Sequence, residues 1–341
     1  TGISRMMNGP WDAETFGSPT LRGGALRLLV TGVDGPIGGN VAYGLLRRAS
    51  VIGLYHDTPV ALPNGQVERW DGTGTSTLTR HVREEKPHWI IHCGPLARPR
   101  WDFADAPGEQ RLPPAAQERA ICRCLVREAQ RLEARLTVLT TDAVFAGPHL
   151  FHSESSSPAV RHPVVRVANA VLKAVDGSGA LVVRTCAYGW SPCEEQPSFA
   201  ERAWLAAAEG LSYPIDPEAH ATPILATDLA SLLWQAYRQG LCGVRHIAGA
   251  ERTSARRFAH ELASLAGQPR PALSLRGEDD KRSATARLSE TSLDSSQARR
   301  ELNRPMPMLR EGLARFLDQI RDGTRAHLRG RQSAAVTSEA A

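Results

Sequence analysis

The chain has 341 residues, of which 42% are hydrophobic, so it is long enough to bury a large globular core. Its 41 lysines and arginines and 36 aspartates and glutamates give a formal net charge of +5, with the two signs interspersed along the sequence. Because it contains neither a long basic run nor a basic stripe studded with aromatics, the charge does not predict nucleic-acid binding; an anionic small-molecule ligand explains it equally well.

The sequence shows no membrane-length apolar run and no signal-peptide pattern, so we expect a cytoplasmic protein with no membrane partner. The six cysteines have neither the spacing of a metal site nor the density of a disulfide scaffold. Cys122 and Cys124 lie two apart in a predicted helix, where their side chains point in different directions. The prediction is therefore reduced thiols and no metal site.

Short β-branched or leucine-rich segments alternate with longer amphipathic segments through the first half of the chain. The predicted strands are 25–32, 50–56, 88–94, 136–145 and 180–189. The predicted helices between them are 38–49, 77–86, 114–134 and 162–175. Strands separated by helices of this length predict an α/β fold, a doubly wound parallel sheet of the Rossmann type.

After residue 190 the pattern changes to several helices and one short strand, which predicts a smaller C-terminal substrate-binding lobe built over the sheet. Residues 269–310 are dense in Pro, Arg and Ser and show weak periodicity. The predicted organisation is a disordered arm at 1–23, a dinucleotide-binding domain at 24–190, the lobe at 191–322 and a flexible tail at 323–341.

A glycine-rich loop lies directly between the first predicted strand and the first predicted helix. Gly32, Gly35 and Gly38 have a G-x-x-G-x-x-G spacing, and Pro36 and Ile37 complete the loop. A dinucleotide needs a tight turn, close backbone approach and a helix N-terminus for its pyrophosphate, so this context predicts a dinucleotide site. The alternative is a glycine-rich turn that binds no ligand.

The identity of the cofactor stays open between NAD and NADP. Asp57 follows the second strand, where a carboxylate can accept hydrogen bonds from an adenosine ribose and favour NAD. Arg47 and Arg48 can equally approach a 2′-phosphate and favour NADP, and all three residues can instead be solvated surface residues.

An arginine-rich segment, residues 95–115, follows the third predicted strand, at the edge where an open parallel sheet binds ligands. Arg98 can hold a diphosphate while Trp101 stacks on a base or nicotinamide. The alternative is a surface loop whose aromatic residues anchor it to the lobe.

The chain resembles the extended short-chain dehydrogenase/reductases, and within them the dTDP-4-dehydrorhamnose reductase branch of nucleotide-sugar enzymes. The resemblance covers roughly residues 25–320 and rests on the glycine loop and on the segments TTDAVFAGP, VVRTCAYGW, TPILATDLA and MLREGLARFL. It implies a nicotinamide cofactor in the first domain and a nucleotide-linked sugar between that domain and the lobe.

The resemblance also implies roles for individual residues. Asp71 matches the residue near the adenine, and Thr141 matches the catalytic hydroxyl that holds the substrate carbonyl. Arg184 follows at the distance typical of the family and is assigned to the substrate. His149 and His220 lie in segments that border the substrate pocket in such proteins, so they are further candidates for substrate contact, although solvated loops are the alternative.

The family's Tyr-x-x-x-Lys pair is absent. Its register falls on His162 and Arg166, and no tyrosine lies between Tyr55 and Tyr188 to offer another register. The tyrosine transfers a proton and the lysine lowers its pKa and binds the nicotinamide ribose. Further departures from the family pattern are an alanine after Thr141-Asp142, a glutamate near position 118 in place of an asparagine, and His92-Cys93-Gly94 in place of Asn-Ala-Ala.

Four interpretations of His162 and Arg166 remain. In the first, His162 transfers the proton while Arg166 binds the cofactor ribose. In the second, the protein binds ligands but has lost catalysis, with or without the cofactor, and regulates a partner enzyme. In the third, His162 is a general base for an epimerisation or elimination, with Thr141 or Asp142 orienting the substrate. In the fourth, His162 merely precedes Pro163 at a helix start.

The sequence therefore predicts an oxidoreductase-like protein that binds NAD or NADP and acts on a nucleotide-sugar or a related anionic intermediate, with a homodimer or a partner enzyme as further associations. A catalytically silent or non-redox member of the family is the alternative.

Overall fold

The computed structural model describes residues 25–105, 112–159, 163–274 and 290–330. A parallel sheet lies at the centre of this part of the chain, with the strand order β3-β2-β1-β4-β5-β6-β10, and β9 also pairs with β6. The strands are β1 (Arg27–Thr31), β2 (Ser50–Tyr55), β3 (Gln66–Arg69), β4 (Trp89–His92), β5 (Arg135–Thr141), β6 (Leu181–Tyr188), β9 (Pro223–Leu225) and β10 (Gly243–His246). The predicted doubly wound α/β fold is confirmed.

Helices cover both faces of the sheet, so the central strands are apolar on both sides. Every residue of β4 and of β6 is buried. On one face lie α1 (Pro36–Leu45) and α7 (Ala226–Gln239). On the other face lie α2 (Thr75–Glu85), α4 (Ala115–Arg131) and α5 (Pro163–Val175). Among the described residues, no helix combines the length and hydropathy that a membrane span requires.

A third apolar cluster forms the lobe, built from α3 (Arg100–Asp105), α6 (Phe199–Glu209), α8 (Ala255–Leu265) and α10 (Leu309–Arg321). The short strands β7 (Ser212–Pro214) and β12 (Ala272–Ser274) pair with each other, as do β8 (His220–Ala221) and β11 (Thr253–Ser254). The helices α9 (Ser296–Leu302) and α11 (Thr324–Leu328) complete the described chain. Since β9 and β10 join the central sheet, the lobe segment shares that sheet.

The strand order reverses between β1 and β4. The strands β2 and β3 lie on one side of β1, and the strands β4, β5 and β6 lie on its other side. The loops that follow β1 and β4 therefore separate and leave a crevice at the carboxyl edge of the sheet, where such folds bind ligands.

The structure differs from the sequence prediction around β3 and at the end of β5. The strand β3 was not predicted, and β5 ends at Thr141 instead of continuing to residue 145. A 3₁₀ turn over Asp142–Val144 follows, because the Thr141 hydroxyl accepts a hydrogen bond from the Ala143 N–H at 3.0 Å and turns the chain. The predicted arm at 1–23 lies outside the described residues.

Candidate dinucleotide-binding crevice

The glycine loop packs against the end of β4 so closely that side chains are excluded. Gly32 has a φ of +69°, and a Cβ there would lie 2.1 Å from the Cys93 carbonyl oxygen. A Cβ at Gly38 would lie 2.1 Å from the carbonyl oxygen of Gly32. These two glycines are therefore required for the turn itself and for the close approach of α1 to the sheet.

The N-terminus of α1 opens onto the crevice. Gly35 is the N-cap residue, Pro36 occupies the first turn, and no side chain caps the helix. The N–H groups of the first turn therefore keep their hydrogen-bonding capacity and the positive end of the helix dipole for an anion. Ile37, in the same turn, is buried in the core and lines no part of the crevice.

Two adjoining cavities, of about 420 Å³ and about 530 Å³, make up the crevice. The residues that line both are Gly32, Asp34, Gly35, Cys93, Gly94, Arg98 and Gln196. Their position at the reversal of strand order, over a helix N-terminus, suits a ligand with an anionic centre and two arms.

The first cavity extends toward the end of β2. Asp57 lines it and is 72% exposed, beside the His56 imidazole at 3.1 Å. The Asp34 carboxylate accepts hydrogen bonds from the N–H groups of His56 at 2.9 Å and Asp57 at 2.8 Å, which ties this loop to the glycine loop. Asp71 does not line the cavity; its carboxylate accepts the N–H groups of Gly74 and Thr73, which lowers its pKa.

Arg47 and Arg48 lie at the opposite edge of the sheet. The helix α1 starts at the crevice and ends at Leu45, and the chain then turns into β2, so both arginines follow the far end of the helix. Neither arginine lines the crevice, so their position does not favour contact with a cofactor 2′-phosphate.

The second cavity has positively charged side chains in its wall. Arg98 lines both cavities and Arg202 lines the second. The largely buried Asp102 accepts hydrogen bonds from the Arg202 guanidinium at 3.2 Å and from the Phe199 N–H at 2.7 Å, and burial raises its pKa. Asp102 thus holds Arg202 at the wall, and the second cavity combines the two arginines with the carboxylates of Asp34, Asp102 and Glu195.

A buried polar unit forms part of the first cavity's wall. His92 is the last residue of β4. Its Nδ1 lies 2.7 Å from the Thr31 hydroxyl oxygen, and its Nε2 lies 2.9 Å from Glu118 Oε1. A Cβ at Gly94 would lie 2.6 Å from both Glu118 Oε1 and His92 Nε2. His92, Gly94 and Glu118 are three of the departures from the family pattern, and the structure joins them in one unit that sequence analysis did not recognise.

Thr141 and Asp142, the predicted catalytic pair, are fully buried and line neither cavity. The Thr141 hydroxyl donates to Asp142 Oδ1 at 3.3 Å, and the same oxygen accepts the Arg100 N–H at 2.8 Å. Asp142 Oδ2 accepts the Thr291 hydroxyl at 2.6 Å. Burial outweighs these bonds and raises the pKa of Asp142 to about 6. The pair thus connects β5 to α3 and to the segment before α9.

Trp101 and Arg184, predicted to contact ligand, are also buried away from the cavities. Trp101 is 1% exposed and packs edge-on against Phe199 and Phe258. This packing favours the alternative interpretation of segment 95–115, in which its aromatic residues anchor it to the lobe. The Arg184 guanidinium lies 5.2 Å from the Phe145 ring centre and 3.3 Å from His246 Nε2.

The remaining candidates lie apart from the crevice or outside the described residues. Arg166 is exposed on α5, and His149 is exposed in the loop after β5. His220 Nδ1 contacts the Glu218 carbonyl oxygen at 2.7 Å. His162 lies outside the described residues. Their predicted roles stay predictions.

Comparison with known proteins gives the class of the chain. The family model for the RmlD substrate binding domain matches residues 26–322. The chain therefore belongs to this family, and the resemblance to the dTDP-4-dehydrorhamnose reductase branch is confirmed. No curated protein sequence matches the chain.

Solved structures share the fold. A dTDP-4-dehydrorhamnose reductase from Bacillus anthracis, in complex with NADP, has a TM-score of 0.64 and 20% identity, covering 87% of this chain and 100% of that one. A dTDP-glucose 4,6-dehydratase from the same organism, in complex with NAD, has a TM-score of 0.68 and 17% identity, covering 88% and 98%. The UDP-glucose 4-epimerase of Thermotoga maritima, with UDP-glucose, has a TM-score of 0.68 and 16% identity, covering 88% and 100%.

Proposed function

We propose that the chain binds a nicotinamide dinucleotide in the crevice and acts on an anionic small molecule, a nucleotide-linked sugar or a related biosynthetic intermediate. The observation that carries the proposal is the glycine loop, whose uncapped helix N-terminus opens onto two adjoining cavities. The reductase and dehydratase structures that share the fold hold NADP and NAD, and the epimerase structure holds UDP-glucose.

The two cavities suggest how the cofactor lies. Its adenosine fits the first cavity, its pyrophosphate the N-terminus of α1, and its nicotinamide end the second cavity. Asp34 and Asp57 give the first cavity two carboxylates, while Arg47 and Arg48 are at the far edge of the sheet. Carboxylates accept hydrogen bonds from a ribose and repel a 2′-phosphate, so we propose NAD as the preferred cofactor.

The anionic substrate fits beside the nicotinamide end, where Arg98 and Arg202 lie in the wall. Catalysis through Thr141 requires its hydroxyl to exchange the bond with Asp142 for one with the substrate carbonyl. Proton transfer by His162, with Arg166 at the cofactor ribose, is the predicted replacement for the family's tyrosine and lysine.

A second candidate is a protein that binds the dinucleotide without turnover. The burial of Thr141 and Asp142, and their bonds to Arg100 and Thr291, favour it, because the hydroxyl that would hold a substrate carbonyl lines neither cavity. Such a protein would act through a partner enzyme or a second copy of itself.

Oxidation of NADH in the presence of dTDP-linked and UDP-linked 4-ketosugars separates the two candidates. An enzyme oxidises NADH with at least one of these substrates and loses at least tenfold in rate in Thr141→Val, because the hydroxyl is removed. The neighbouring Thr140→Val serves as the control, since Thr140 donates to the Val183 carbonyl oxygen inside the sheet. NADH binding without oxidation of any such substrate would refute the enzyme and support the silent protein.

A further inference from the structure

Three side chains of metal-ligating type converge beside the first cavity. The ligand atoms of His92, Glu118 and Cys122 all lie within 4.8 Å of one another, and all three residues are buried. Glu118 and Cys122 are four residues apart and so share one face of α4, and His92 ends the neighbouring strand β4. The sequence separation of 26 residues between His92 and Glu118 hides this convergence from any spacing motif.

The hydrogen bonds within the unit leave Glu118 incompletely satisfied. Glu118 is 2% exposed and its Oε1 faces His92 Nε2, but Oε2 has no hydrogen-bond partner among the described residues. A buried carboxylate oxygen without a partner is costly, and a cation is one of the few groups that satisfies it. Without an ion, His92 Nε2 carries the proton and donates to Glu118 Oε1. The tautomer with the proton on Nδ1 donates to the Thr31 hydroxyl instead and leaves the Nε2 lone pair for an ion, as in metal-ligating histidines.

We propose that His92 Nε2, a Glu118 carboxylate oxygen and the Cys122 thiolate bind a divalent metal ion of the zinc class. Imidazole, carboxylate and thiolate are the ligand types that zinc takes in proteins. One divalent ion balances one carboxylate and one thiolate, so the buried unit becomes neutral, and the thiol proton passes to solvent on binding. Ligand atoms around a tetrahedral zinc lie about 3.5 Å apart, so movements of about an ångström complete the site.

Gly94 gives this site its opening. Because it has no side chain, the space beside His92 Nε2 and Glu118 Oε1 stays clear, and Gly94, His92 and Glu118 all line the first cavity. Three protein ligands with a fourth position facing a cavity is the arrangement of a zinc ion that binds water or a ligand oxygen. The ion would therefore contact an oxygen of whatever occupies the first cavity, and the site does not depend on the proposed hydride chemistry.

Cobalt titration of the chelator-treated full chain tests the site, because Co²⁺ bound to a thiolate absorbs in the near ultraviolet. We expect one equivalent of Co²⁺ to produce this band and Zn²⁺ to abolish it by displacement. Cys122→Ser is expected to remove the band, whereas Cys124→Ser, on the same helix and also buried, keeps it. Absence of the band in the unaltered protein, or a band that survives Cys122→Ser, would overturn the proposal.

Two further variants keep the test decisive if Cys122→Ser does not fold. Glu118→Gln and Gly94→Ala leave the thiol in place, and each is expected to weaken Co²⁺ binding by about tenfold or more, since the first removes a charged ligand and the second displaces two. Unchanged Co²⁺ affinity in both, with circular dichroism like that of the unaltered protein, contradicts the assignment.

Discussion

Asp142 is the buried carboxyl that accepts hydrogen bonds from Thr141, Arg100 and Thr291. The pH dependence of stability tests whether it is buried in this way. Its pKa lies at about 6 in the folded protein, against an ordinary aspartate pKa of 3.8, because burial disfavours the charged form. The fold therefore favours the protonated acid, and this contribution to the free energy of unfolding is complete below about pH 4 and is lost as the pH rises through about 6. A difference of about two pKa units corresponds to roughly 3 kcal/mol.

Asp142→Asn removes this dependence while it preserves shape. The amide oxygen still accepts the Arg100 N–H, and the amide N–H can donate to Thr291, whose hydroxyl lies 3.2 Å from the His220 carbonyl oxygen. We expect the variant to have a free energy of unfolding up to about 3 kcal/mol above that of the unaltered protein at about pH 8, and no advantage near about pH 4.

Urea unfolding at these two pH values measures the effect. Asp176→Asn, at an exposed position after α5, is the matched control and is expected to change the free energy of unfolding by less than about 0.5 kcal/mol at either pH. The reasoning would be refuted if Asp142→Asn had a lower free energy of unfolding than the unaltered protein at pH 8. It would also be refuted if the difference between the two proteins were the same at both pH values.

Three further predictions concern stability. Burial, with Arg184 nearby, lowers the pKa of His246 to about 3, so its contribution to the free energy of unfolding is complete above about pH 6.5 and falls as the pH drops toward 3. In urea unfolding, His246→Gln should therefore lose less stability between about pH 6.5 and 4 than the unaltered protein does, and an equal loss in the two proteins would contradict this. Trp101→Ala should lower the free energy of unfolding by about 3–5 kcal/mol, because the indole ring is enclosed in the lobe. If the variant instead kept the urea stability of the unaltered protein and bound ligand more weakly, the ring would be one that stacks on a ligand. Gly32→Ala should lower the melting temperature much more than Gly35→Ala, because a Cβ at Gly32 would lie 2.1 Å from a backbone oxygen whereas one at Gly35 would have no atom closer than 3.4 Å. Equal melting temperatures of the two variants would argue against the loop geometry.

Much of the fold was predictable because its signals are local. Segments that are apolar over most of their length, such as β4 and β6, predict strands that are covered on both faces, and the helices between them predict parallel pairing. The glycine loop was predictable for the same reason, since strand, turn and helix follow one another without interruption.

The arrangement of the site depends on contacts between distant segments, which a single sequence does not show. Asp142 is enclosed by Arg100 and Thr291, 42 and 149 residues away in the chain. His92 and Glu118 were recognised separately as departures from the family pattern, but their contact depends on how α4 packs beside β4. The burial of Trp101 likewise follows from the placement of α6 and α8.

Direct titration of the protein with NADH and with NADPH, followed by nicotinamide fluorescence, is the measurement that tests the dinucleotide crevice most directly. We predict saturable binding of NADH, tighter than that of NADPH because of the carboxylates of Asp34 and Asp57. Gly35→Leu should abolish binding by filling the space over the N-terminus of α1, while Gly35→Ala should retain it. Failure of both dinucleotides to bind at millimolar concentration would contradict the account.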